Sequence, residues 1–155
     1  MQIERSCETA PSVDFSLEST SGGTQSLSQH RGSVVVVFYE APDRTRDNAQ
    51  IKQALTAYEP HVGLVLIAAG DMRAFDRPGA RPVAAAAARA VARHYGLEIL
   101  LDWQGALTRP PFRLDPAKSN VLLVDRAGTI VFRHSGILGS TETSRFFRAL
   151  GNAAA

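Results

Sequence analysis

Four of the five residues in Asp43-Arg44-Thr45-Arg46-Asp47 are charged, and they stand between a β-branched run ending at Phe38-Tyr39-Glu40 and a helical pattern. Arginine offers a planar fork of donors that matches a carboxylate or a phosphate. Arg44 and Arg46, joined by Arg73 and Arg77 from a later loop, could therefore grip such a group. Asp43, Asp71 and Asp76 offset part of that charge, so any anion pocket would be modest. The plainer reading of the cluster is a helix start, in which Pro42 stops the strand, Asp43 caps the helix and the arginines are solvated. The sharper reading is a polar docking site.

Other candidate chemistry is sparse. Cys7 is the single cysteine, which excludes an internal disulfide and a cysteine-based metal cluster. It lies in the lead-in before the first strand, and nothing beside it would lower its pKa. It is either an incidental thiol or, less simply, a catalytic one. His30, His61, His94 and His134 lack the spacing of metal ligands, so no metal is expected. Trp103, between apolar and polar neighbours, reads equally as a core residue or as a rim contact. No phosphate-binding loop, nucleophile elbow or catalytic carboxylate pair occurs, and no cofactor is expected.

A chain of 155 residues fits one domain with a real core. It is 45% hydrophobic and 21% charged, a globular balance. The pI near 9.0 comes with a formal charge of only +2, and the arginines are scattered, so nucleic acid is not the expected partner. Met1 to Ser6 lack the apolar core of a signal peptide, and no apolar run reaches membrane-spanning length. The expectation is a cytoplasmic protein off the membrane.

The elements that must position these residues follow from periodicity. Residues 1–12 form a loose lead-in. Phe15-Ser16-Leu17 and Thr24-Gln25-Ser26-Leu27 flank Ser21-Gly22-Gly23, a hairpin signal. Ser33 to Tyr39 reads as a strand covered on both faces. Ile51, Leu55 and Tyr58 recur at helical spacing, and Pro60 and Gly63 end that helix. A second strand, 64–69, implies a right-handed parallel crossover. A charged loop, 70–81, leads to an Ala-rich helix that starts at Pro82 and stops at Gly96, with Arg89 and Arg93 on its solvated face. A short strand at 98–101 and an irregular stretch at 102–118 follow. Val121–Val124 and Thr129–Phe132 flank Asp125-Arg126-Ala127-Gly128 as a second hairpin. Ser140 or Thr141 caps a last helix that turns Phe146, Phe147 and Leu150 inward and stops at Gly151.

Three segments in this order resemble the redoxin branch of the thioredoxin superfamily, which contains the AhpC/TSA peroxiredoxins and the thiol-disulfide oxidoreductases. They are Ala10-Pro11-Ser12-Val13-Asp14-Phe15-Ser16-Leu17, the approach Leu27 to Phe38, and the late hairpin Leu123 to Val131 with Arg133-His134-Ser135-Gly136. The resemblance implies one thioredoxin-like α/β domain over 1–155, with its core at about 10–151. It implies three layers: a central mixed sheet, with strands near 33–39, 64–69, 121–125 and 129–134, flanked by helices and preceded by an N-terminal β-hairpin.

The departures from that pattern bear on function. The resemblance places Asp43 and Arg46 where the branch carries a Cys-x-x-Cys pair, and Asp47 near its peroxidatic cysteine. It places Ser119, in Lys118-Ser119-Asn120, where the branch has a cis-proline. A cis bond before a non-proline residue costs about 2.5–4 kcal/mol, so a trans bond is expected. In this fold the first helix tip, Ser119 and the 73–81 loop should converge on one surface. The expected function is a redox-inactive module that binds a protein partner or a small anionic ligand there. The alternative is a redoxin-like antioxidant oxidoreductase using Cys7.

Overall fold

A computed structural model describes residues 11–58 and 63–155. Pro60 and His61, and Cys7 with the rest of 1–10, lie outside the described residues. Among the described residues seven strands form one open mixed sheet: β1 (Ser16–Ser19), β2 (Thr24–Ser26), β3 (Val34–Glu40), β4 (Leu64–Asp71), β5 (Ile99–Asp102), β6 (Ser119–Val124) and β7 (Ile130–Ser135). Their spatial order is β2-β1-β5-β4-β3-β6-β7. β3, β4 and β5 run parallel, while β6, β7 and the β1–β2 hairpin pair antiparallel. The helices are α1 (Ala49–Tyr58), α2 (Ala80–Tyr95) and α3 (Ser140–Ala154).

The β-branched run at 34–37 is central because it has apolar residues for both faces. Val34, Val36 and Phe38 meet Ile51 and Leu55 of α1 and Phe146 and Leu150 of α3. Val35, Val37 and Tyr39 face the other way, onto Phe15, Leu107, Phe112 and Leu114. That second cover is not a helix. It is the irregular 103–118 stretch, with one 3₁₀ turn at Ala106–Thr108, together with the segment leading into β1. α2 closes over Leu101, Met72 and Trp103 through Ala85, a contact that its small residues permit.

Several boundaries differ from those expected. α1 begins at Ala49, so Asp43 does not cap it. Pro42 instead opens a 3₁₀ turn, Pro42–Arg44, and three-residue bonds continue it from Arg44 N–H to Ala41, from Asp47 N–H to Arg44 and from Ala49 N–H to Arg46. β4 extends to Asp71 because β5 pairs with it there. α2 starts two residues before Pro82, and Gly96 ends it in the left-handed conformation (φ 61°) that glycine adopts without strain. α3 has Gly139 rather than Ser140 or Thr141 at its cap, and it passes through Gly151 to Ala154. Ala153 and Ala154 pack on the core there, which offsets the roughly 1 kcal/mol helix penalty of glycine. Phe147 is half-buried, whereas Phe146 and Leu150 are fully buried.

Candidate functional site

The carboxyl ends of the parallel strands lie side by side. Tyr39 is opposite Ala69, Asp71 is opposite Asp102, and β6 starts beside them with Ser119 opposite Glu40. The segments that leave these ends therefore share one pole of the sheet, the pole at which docking residues were expected.

At its centre is a buried polar network. Glu40, the only charged residue in β3, is nearly buried, and Asn48 and Ser119 are buried. The Ser119 hydroxyl donates to Glu40 Oε2 at 2.6 Å and accepts from Asn48 Nδ2 at 2.8 Å. Lys52 Nζ, one turn into α1, pairs with Glu40 Oε1 and donates to the Thr45 carbonyl at 2.7 Å. Asn48 Nδ2 also reaches the Gly136 carbonyl at 3.2 Å, and its Oδ1 accepts from Leu138 N–H at 3.0 Å. Next door, the Asn120 amide donates to the carbonyls of Tyr39, Asp115 and Lys118. Among the described residues no buried side-chain nitrogen or oxygen lacks a partner. Every buried side-chain group of this network already has a partner within the fold, and each bond adds about 0.5–1.5 kcal/mol of net stability.

A second buried group closes the adjoining strands. Asp102 is fully buried; it accepts from the Tyr39 hydroxyl at 2.9 Å and from the N–H groups of Ala106 at 2.8 Å and Leu107 at 3.0 Å. It thereby caps the 3₁₀ turn under the sheet. Burial first, then the Asp102 and Asp71 carboxylates, push the Tyr39 phenol far above its ordinary pKa, so it stays a proton donor.

The expected site residues divide into three groups. Ser119 is inside the fold and serves the network, and its peptide bond is trans, since the cis bond among the described residues is Pro110–Pro111. Asp43, Arg44 and Arg46 are exposed, with Asp47 half-buried beside the start of α1. Arg44 makes loose pairs with Asp43 (4.0 Å) and Asp47 (3.9 Å), and Arg46 has no side-chain partner among the described residues. Arg73 gives its fork to the Asp71 carboxylate at 2.9–3.3 Å, and so is not free to grip a ligand. Arg77 is exposed. Among the described residues no hydrogen bond or ion pair joins Arg73 or Arg77 to the Asp43–Asp47 turn: they share the pole without forming one cluster.

Beside Arg46 runs a groove of about 370 Å³, lined by Arg46, Asn48, Ile51, Ile137, Leu138 and Phe147. Ile137 is 65% exposed, so the groove has an apolar wall, and Arg46 stands at its rim beside the Asp47 carboxylate. Sequence reasoning missed Glu40, Asn48, Lys52 and Asn120. A lone acid closing an apolar strand was a legible signal for Glu40; Asn48 carried none, because its partners come from 88 and 90 residues away. Trp103 is a core residue whose Nε1–H donates to Glu18 at 2.7 Å under the Arg81 guanidinium.

The arrangement of sheet and helices recurs in solved structures. A protein from Chlorobium tepidum described as a thiol:disulfide interchange protein, DsbE, superposes with a TM-score of 0.65 at 19% identity over 94% of this chain and 96% of that one. The bacterioferritin comigratory protein of Xanthomonas campestris gives 0.64 at 14% identity, over 91% and 92%. PrxQ from Xylella fastidiosa gives 0.60 at 10% identity, over 91% and 90%. The fold is thioredoxin-like. By sequence, no family model and no curated protein matches the chain. At these identities the likeness carries the fold alone. Within this thioredoxin-like frame, the polar network and the 41–48 turn lie at the carboxyl ends of the parallel strands. Among the described residues no helix is long and apolar enough to cross a membrane.

Proposed function

We propose that this chain is a redox-inactive thioredoxin-fold module that binds a protein partner, or a small anionic ligand, at the former redox pole. One observation supports the reading: among the described residues that pole holds no thiol, and the Glu40–Ser119–Asn48–Lys52 network lies there instead. A thiol enzyme needs a partly exposed, activated sulfur, whereas the buried groups of this network are partnered with one another. An aspartate near a helix start is electrostatically favourable but cannot exchange disulfides. Binding is the use left to the surface. The apolar wall at Ile137 and Phe147 suits a protein segment, and the free fork of Arg46 suits a carboxylate on it. A cytoplasmic location belongs to the same proposed reading.

The test is capture from cell lysate by immobilised wild type, Arg44→Ala and Arg46→Ala proteins. The Arg46→Ala protein is expected to lose the captured species and Arg44→Ala to weaken it. Unchanged capture by both variants removes this docking surface.

A further inference from the structure

The opposite pole, where α2 ends and β5 begins, holds the larger cleft of the two, about 550 Å³. Arg89, Ala92, Arg93 and Leu97 form one side of it, and Thr20 and Ser21 of the β1–β2 turn form the other. α2 carries Arg81, Arg89, Arg93 and His94 and no acidic residue. Arg81 is engaged by Asp76 at 3.2 Å and Glu18 at 3.6 Å. Arg89 and Arg93 are not: one turn apart and exposed, they have no side-chain hydrogen bond or ion pair among the described residues. Arg93 sits in the last turn, where it complements the helix dipole, but Arg89 lies too far back for that role. The end carbonyls there are already covered, since Gly96 N–H reaches Ala92 and Arg93 and Leu97 N–H reaches Ala92 at 2.9 Å.

The walls between the two guanidinium groups are of mixed character. Ala92 makes a small floor, and Leu97, 45% exposed, makes an apolar side. The Thr20 hydroxyl oxygen accepts from Ile99 N–H at 3.0 Å, which leaves its own hydrogen to donate. Ser21 donates to Glu98 at 3.1 Å, so one carboxylate stands at the rim and opposes an anion.

We propose that this cleft binds a small ligand carrying a phosphate group on an apolar body. Arg89 and Arg93 hold the phosphate by forked, charge-assisted bonds, Thr20 adds a donor, and Ala92 and Leu97 face the apolar part. The volume falls in the range of about 300–1,000 Å³ usual for small-molecule sites. This inference stands apart from the docking surface at the other pole.

Phenyl phosphate is the probe, followed through backbone amide shifts. Saturable shifts are expected at Ser21 and across 89–97. Arg89→Ala and Arg93→Ala should each weaken binding by about tenfold or more, and Glu98→Gln should tighten it severalfold. Arg148→Ala, a surface change on α3, should leave the affinity as it was. The proposal is overturned if no saturable shift appears by about 20 mM. It is equally overturned if the double variant Arg89→Ala/Arg93→Ala binds as well as wild type. Retention on phosphatidylcholine vesicles containing phosphatidic acid, without any response to phenyl phosphate, would assign the arginines to a lipid surface and overturn it too.

Discussion

Tyr39 shows in one side chain how the sheet holds polar groups. Its ring belongs to the core on one face, and its hydroxyl is spent on Asp102, which in turn holds two backbone N–H groups. Because burial and the neighbouring carboxylates raise the folded-state pKa, the unfolded chain releases this proton first, near the ordinary value of about 10. The stabilisation is therefore complete below about pH 10 and is lost as pH rises past it. Phenolate absorbance of wild type and Tyr39→Phe should coincide through the alkaline range until the protein unfolds, and only then separate. An earlier separation would show that the phenol is neither buried nor paired as described.

At the scale of elements, the start of α1 is set by a side chain. Asn48 ties the turn before the helix to Ser119 in β6 and to the loop after β7, where Gly136 and Leu138 accept and donate. Removing that side chain leaves the Gly136 carbonyl and the Leu138 N–H without their partner, while Ser119 keeps its bond to Glu40, and such a loss costs about 1–3 kcal/mol for a buried group. Asn48→Ala should thus lower the unfolding free energy by about 2–3 kcal/mol, read as a lower denaturation midpoint with the slope unchanged, and hydrogen exchange should quicken at Leu138. A variant as stable as wild type would mean that the helix is placed by its apolar stripe alone.

The same element shows what a sequence can and cannot disclose. The stripe Ile51–Leu55 and the run Val34–Val37 were legible because burial writes periodicity into local sequence. The helix start was not, because a proline followed by an aspartate normally opens a helix, and here long-range bonds to Asn48 override that local signal. Ser119 was expected at the surface; it is buried in a bond to Glu40, whose pairing with Lys52 only the fold reveals. The arginines could be named as free cations, yet which of them Asp71 engages was not written in their spacing.

For the whole molecule, a thioredoxin-like sheet carries, at the carboxyl ends of its parallel strands, a network of partnered polar groups. The surface consequence is a division between a groove at Arg46 and a cleft at Arg89 and Arg93, one at each end of the sheet. The central claim concerns chemistry at the first of these. Its most direct test is turnover in insulin reduction and in peroxide consumption, measured on wild type and on Cys7→Ser at equal concentration. The account predicts that both proteins match the uncatalysed background in both assays. Turnover by wild type that disappears in Cys7→Ser would contradict it.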